Sequence, residues 1–313
     1  SLACARAGAW ASNSEIYQHV NKLYNLTKIS KKLPTPMFNV FNGGKHADTN
    51  LDVQEIMIVP LLQTTFAEKI RIASEIFHTL ANVLKKNNLD TDTGNEGGYA
   101  PNIDSTLQAF DLILQAIAQA GYQPGKEIGL ALDVGASELY DLSKKLYKFD
   151  LDEHSLLAQQ LITLYRSWLE KYPIFLIEDG LAEDDWENWQ KLTSEFSRFK
   201  PQSTSPSVLL VGDDLVTTNL ERLKTAHQKQ AANAVIVKPN QIGTLSETVN
   251  FVKYAQKYNY KIITSHRSGE TCDDIIADLA VAFNSDFVKF GAPSRGERVT
   301  KYNRLMQIEK NLK

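Results

Sequence analysis

The amino-acid sequence predicts an α/β fold built on a parallel barrel, and three observations carry that expectation. Past Gly121, short apolar runs alternate with amphipathic stretches of helical length, which is the pattern of successive β/α units. The chain has 313 residues, and a barrel of this kind takes roughly 250 with room for extra elements. A charged or imidazole side chain also stands just past each of six apolar runs. The same length suits two small domains, but no low-complexity linker divides the chain, so residues 1–313 are expected to form one closed domain.

In chain order, residues 1–6 are small and lack the charged-then-apolar order of a secretory leader. The chain does not open on Met and reads as a piece entered mid-protein. Pro34 and Pro36 precede an apolar run at 37–41, a polar loop follows at 42–50, and a second run covers 56–59. These suit a strand pair closed by an open loop. From 66 to 84, apolar residues recur at three- and four-residue steps behind Thr65 and Glu68, which predicts a capped amphipathic helix. The parallel-strand candidates are 128–132, 174–177, 208–211, 234–237, 261–264 and 286–288. Helices are expected at 186–196, at 220–231 and from a capping box at Thr244 and Glu247.

Composition narrows the function classes. With 43% hydrophobic and 23% charged residues the chain is ordinary globular material, and no apolar stretch reaches membrane-span length. A net charge of −3 supplies no basic field for nucleic acid or an anionic membrane, and Lys144-Lys145 reads as a solvated helix end. Cys4 and Cys272 lie far apart in no metal-ligand spacing, which fits reduced thiols and a cytoplasmic setting.

The residues behind the strand candidates are Asp133, Glu178, Asp213, Lys238, His266 and Lys289, at steps of 45, 35, 25, 28 and 23 residues. In a parallel barrel, strand C-termini converge on one mouth, so these groups are expected to share a site. Asp133, Glu178 and Asp213 offer carboxylates without sulfur or imidazole, a set suited to a hard cation such as magnesium that also takes substrate oxygens. That some of these acids merely cap helices remains a competing reading. Beside a divalent cation, Lys238 would have its pKa lowered and act as a base, while Lys289 would stay charged and stabilise an oxyanion. His266-Arg267-Ser268-Gly269 is placed at a strand-to-helix junction, where a helix N-terminus, a guanidinium and a hydroxyl hold a phosphate. Glycines crowd Glu96 in residues 94–98, and burial or nearby Glu55 would raise its pKa and make it a general acid. A plain turn is the alternative there.

At these residues the chain resembles the enolase family over nearly its whole length. The resemblance is carried by Asn42-Gly43-Gly44 with His46-Ala47-Asp48, Gln54-Glu55, Glu96-Gly97-Gly98, Ala131-Leu132-Asp133 and Ile177-Glu178-Asp179-Gly180. Gly212-Asp213-Asp214-Leu215, Lys238 with Asn240-Gln241-Ile242-Gly243, Ser265-His266-Arg267-Ser268-Gly269-Glu270 and Lys289 with Gly291-Ala292-Pro293 continue it.

The resemblance implies a modified TIM-type (β/α)8 barrel and reversible conversion of 2-phosphoglycerate to phosphoenolpyruvate. Asp133, Glu178 and Asp213 would hold magnesium, Lys238 would remove the proton from carbon 2, and Glu96, partnered by Glu55, would assist loss of the hydroxyl from carbon 3. His46 would lie beside that hydroxyl and Lys289 would face the substrate carboxylate. Arg267 and Ser268 would bind phosphate with His266 beside them. His46, Glu55, Glu178, Asp213, Arg267, Ser268 and Lys289 would together contact substrate. A homodimer or dimer-based assembly is implied too, with no nucleic-acid partner. In the family a smaller α+β domain usually precedes the equivalent of Ser1 and supplies a loop that closes over substrate; it is not in this sequence. Asn95 and Phe290 stand where Asp and Thr are common. An acid-sugar enzyme of the same superfamily would lack the phosphate grip, and a non-catalytic binding or structural protein, or an inactive fragment, would have no need of Lys238 and Glu96.

Overall fold

The computed structural model describes residues 1–199 and 207–312. Two helices come first, α1 (Leu2–Ala11) and α2 (Ile16–Leu23), followed by strands β1 (Thr35–Asn42) and β2 (Glu55–Pro60). Helices α3 (Phe66–Lys86) and α4 (Thr106–Gln119) lead into β3 (Ile128–Asp133). A short helix, α5 (Ala136–Leu139), and a small sheet of β4 (Tyr140–Asp141), β5 (Leu146–Phe149) and β6 (His154–Leu156) come next. Regular alternation begins at α6 (Ala158–Lys171): β7 (Ile174–Glu178), α7 (Trp186–Phe196), β8 (Leu209–Gly212), α8 (Leu220–Gln228) and β9 (Ala234–Val237). It ends with α9 (Pro239–Ile242), α10 (Leu245–Lys257), β10 (Lys261–Ser265), α11 (Ile275–Ala282), β11 (Phe287–Lys289) and α12 (Gly296–Leu312).

Eight strands close a barrel in the order β1-β11-β10-β9-β8-β7-β3-β2. Side chains alternate across each strand, so Met57 and Val59 point inward with Ala131, Leu176, Val211 and Ile236. Ile56 and Ile58 point outward to the helices instead. Both faces are therefore apolar, which is why the strands read as continuous hydrophobic runs. The helices expected at 66–84 and from Thr244 form, with Thr65 and Thr244 hydroxyls accepting the amides of Glu68 and Glu247 at 3.2 Å each. The helix expected to reach residue 231 stops at Gln228, because Gln230 (φ 54°) and Ala232 (φ 66°) adopt left-handed backbone. Lys144-Lys145 is not a helix end; it lies in the β4–β5 turn, with Lys145 at φ 55°.

One departure from simple alternation positions the site. β2 runs antiparallel to both β1 and β3, so its first residue, not its last, faces the mouth. The register pairs Asn42 with Glu55, Glu55 with Asp133, and Asp133 with Glu178, giving one polar rung across four strands.

Candidate active site

All six expected residues reach the barrel mouth. Asp133, Glu178 and Lys289 end β3, β7 and β11, while Asp213, Lys238 and His266 directly follow β8, β9 and β10. Lys289, 1% exposed, sits at the centre of the rung. Its Nζ lies 2.8 Å from Asp133 Oδ2, 2.9 Å from Glu178 Oε1 and 3.1 Å from Glu55 Oε1. Burial works against its charge, but Asp133, Glu178 and Glu55 hold its pKa well above the ordinary lysine value, as expected of a permanently charged group. Lys238 Nζ donates to Asp213 Oδ2, and Gln241 Nε2 donates to Asp213 Oδ1 at 3.3 Å. The lowered pKa expected of Lys238 belongs to a site with a divalent cation beside it, and the protein groups alone act the other way. Burial alone would lower the Lys238 pKa, but the touching Asp213 carboxylate raises it above the ordinary value.

The opposite wall gathers imidazoles and carboxyls. His46 Nδ1 lies 3.3 Å from Glu55 Oε1 and 3.4 Å from Glu96 Oε2, and His266 Nε2 lies 3.3 Å from Glu96 Oε1. Ser268 Oγ donates to Glu96 Oε1 at 3.2 Å and lies 3.3 Å from His46 Nε2. Asn39 and Asn42 donate to Glu96 Oε2 at 2.7 and 3.3 Å. The loop carrying Glu96 can approach this closely because Gly94 has no side chain. A Cβ there would lie 2.5 Å from the Asn42 side chain and 2.7 Å from the His46 carbonyl oxygen.

A correction concerns Glu96. Burial pushes its carboxyl up, but the imidazoles of His266 and His46 hold it well below the usual carboxylate range. The raised member is Glu55, pushed to about 7 by burial and then by the Glu96 charge. Burial disfavours the His46 cation, yet Glu55 and Glu96 hold its pKa up at about 10. The Glu55–Glu96 pair therefore titrates as a unit, with Glu55 the member that takes up a proton more readily.

The loop expected to hold phosphate also differs from expectation. Helix α11 begins at Ile275, six residues beyond Gly269, so no helix N-terminus adjoins His266-Arg267-Ser268-Gly269. The loop is held by side chains instead. Arg267 is exposed, its Nη1 donating to Asn240 Oδ1 at 3.1 Å, and its backbone amide donates to Glu270 Oε1 at 3.1 Å.

Among the described residues, two acidic groupings bring their ligand atoms within 4.8 Å of one another: His46–Glu55–Glu96 and Asp179–Asp213–Asp214. Asp133, Glu178 and Asp213 are spread more widely, because the two ammonium groups lie among them. These three acids still fit a divalent cation. They are all-oxygen donors on adjacent strands, and Glu178 Oε2 is a buried acceptor without a partner.

Asp179, which sequence reasoning did not assign a role, is buried beside Asp213. Its carboxylate accepts the amides of Asp213 and Asp214 at 3.0 and 2.7 Å, which orients Asp213, and its backbone takes φ 43° to do so. Burial, followed by the Asp213 charge, pushes its pKa well up. The signals for it in the sequence were its position directly after Glu178 and its place in the matching segment 177–180.

Known proteins share this architecture. The enolase of Corynebacterium kroppenstedtii is 47% identical over 312 residues, covering 100% of this chain and 70% of that protein. A family model described as the C-terminal TIM barrel domain of enolase matches residues 30–313. With the closed barrel and its polar mouth, these matches place the chain in the enolase family, as a lyase of the hydro-lyase class.

Proposed function

We propose that this chain is the catalytic barrel of a magnesium-dependent phosphopyruvate hydratase, reversibly dehydrating 2-phosphoglycerate to phosphoenolpyruvate, with residues 1–313 as one domain. The observation that carries the reading is the opposition of two walls. One pairs a lysine with a carboxylate-rich rung, and the other gathers two carboxyls and two imidazoles around a single hydroxyl. An α-proton next to a carboxylate needs a base, charge neutralisation and an acid on the leaving side, and this mouth presents all three.

In this reading Lys238 Nζ accepts the proton from carbon 2. Lys289 faces the substrate carboxylate, where its fixed positive charge stabilises the enolate-like electron pair. That pair becomes the new carbon–carbon double bond as the bond from carbon 3 to its hydroxyl breaks. The hydroxyl leaves as water with the proton held by the Glu55–Glu96 pair; Glu96 is the group nearest the leaving oxygen and His46 lies beside it. Arg267 and Ser268 hold the phosphate with His266 alongside. Asp133, Glu178 and Asp213 would hold the magnesium ion, whose positive charge would acidify the substrate and weaken the grip of Asp213 on Lys238. The alkaline shift of Lys238 is compatible with a base once that grip is weakened. Family membership also supports a cytoplasmic, dimer-based enzyme. Among the described residues no helix is long and apolar enough to cross a membrane.

The test is ultraviolet detection of phosphoenolpyruvate formed from 2-phosphoglycerate by the intact protein, with magnesium and with chelator. Turnover should need the metal and fall at least about a thousandfold in Lys238→Ala. Turnover that survives Lys238→Ala would refute the assigned base, and absence of turnover with magnesium would refute the activity.

A further inference from the structure

Arg298, in the first turn of α12, is 1% exposed, and burying a guanidinium is costly unless every N–H finds a partner. Glu297 Oε1 lies 3.6 Å from Nε, an ion pair without a hydrogen bond, and Nε is its one buried N–H left without a partner among the described residues. Its hydrogen bonds go elsewhere. Nη1 reaches His266 Nδ1 and the Arg267 carbonyl oxygen, both at 2.7 Å. Nη2 reaches the carbonyl oxygens of Asn95 at 3.0 Å and Ser268 at 2.6 Å. One planar fork thus joins the loop carrying Glu96 to the loop carrying His266 and Ser268.

We infer that Arg298 is a positioning residue that fixes His266 in its Nε2–H tautomer and aims that N–H at the acid cluster, a role that rests on the proposed hydratase reading. The chemistry leaves one assignment. A guanidinium has only donors and does not deprotonate in a protein, so His266 Nδ1 must be the acceptor of the 2.7 Å bond. Burial, with Arg298 and Lys289 nearby, draws the imidazole pKa down to about 4 despite the opposing pull of Glu96, so the ring carries one proton, on Nε2. Nε2 is buried without an aligned partner and lies 3.3 Å from Glu96 Oε1. It is therefore a donor held ready for an oxygen entering between them. Gly291 makes room for the fork. At φ 94°, a Cβ there would come within 2.8 Å of both Arg298 Cδ and the Glu96 carbonyl oxygen.

The test reads the tautomer directly. Long-range 15N–1H spectra of the intact protein labelled at histidine, with His266 assigned from its loss in His266→Gln, should show an unprotonated Nδ1 and a protonated Nε2. In Arg298→Met the His266 nitrogens should shift towards tautomer averaging, and kcat should fall about 10–100-fold with a smaller change in KM. Arg298→Lys keeps one donor for Nδ1, so it should restore the tautomer while recovering only part of kcat. A protonated Nδ1 in the wild-type protein would overturn the inference, as would unchanged His266 nitrogens in Arg298→Met. The wild-type spectrum decides even if Arg298→Met does not fold. The spectra do not depend on turnover, so an inactive protein with the expected tautomer would count against the hydratase reading and not against the role of Arg298.

Discussion

Lys69 provides the most quantitative test of the electrostatics, away from the catalytic mouth. It lies in the first turns of α3, is 5% exposed, and its ammonium makes one long hydrogen bond, 3.5 Å to Thr35 Oγ1. Burial, helped by Lys32 and opposed by Glu309, lowers its pKa from 10.5 to about 8. The charged form is thus the one the fold disfavours. Below about pH 8, Lys69 is charged in both folded and unfolded chains and the fold bears the whole penalty. Between about 8 and 10.5 the unfolded chain binds more protons, so stability climbs with pH, and above 10.5 the penalty is gone. The full gap corresponds to roughly 3 kcal/mol as an upper bound. The ammonium borders an open cleft with Lys31 and Lys32, so solvent screening reduces the effect to about 1–2 kcal/mol. Lys69→Met should accordingly be more stable than wild type by about that amount at neutral pH, and most of the advantage should vanish by about pH 10.5. Guanidinium unfolding midpoints at the two pH values measure it. An equal advantage at both would assign the gain to apolar packing, and a less stable variant at neutral pH would refute the argument outright.

Three further outcomes are expected. Gly291→Ala forces a left-handed backbone and two 2.8 Å contacts, so calorimetry should record a loss of about 2–4 kcal/mol together with reduced turnover. Asn39→Ala removes the 2.7 Å donor to Glu96 Oε2; kcat should drop about tenfold or more, and the alkaline limb of the pH–rate profile should move up as the Glu55–Glu96 pair holds its proton more tightly. Magnesium at about a hundred times its dissociation constant should stabilise the protein by about 2.7 kcal/mol in thermal unfolding, reversibly with chelator, and Glu178→Gln should abolish the shift.

Much of the barrel was legible because strand ends carry their chemistry in register. Asp133, Glu178 and Lys238 could be placed from the apolar runs before them. The antiparallel course of β2 was not legible in the same way: the strand pair was expected, but the rung it completes depends on pairing across β1 and β3. Proton affinities were less legible still. Glu96 was expected to be raised by Glu55, yet His266, far along the chain, dominates its surroundings. Likewise, the direct ion pair with Asp213 outweighs burial at Lys238. Arg298 lies in a stretch for which no element was expected, and nothing in its local spacing reveals that it faces inward to grip two loops. The helix absent at Gly269 reflects a similar limit: a side-chain-held loop and a helix start share the same polar, glycine-containing composition.

The reversed strand β2 also divides the site by how far the chain must travel to build it. Asn42 and Glu55 meet across a hairpin, whereas Asp133 and Lys289 are joined over 156 residues. By loop-closure scaling, the second contact costs about 2 kcal/mol more entropy than the first. The Asn42–Glu55 edge of the mouth is therefore a local unit, whereas Lys289 reaches Asp133 and Glu178 only when the last strand has closed the ring. Any opening at the β1–β11 seam should first withdraw Lys289 from the carboxylates that end β3 and β7.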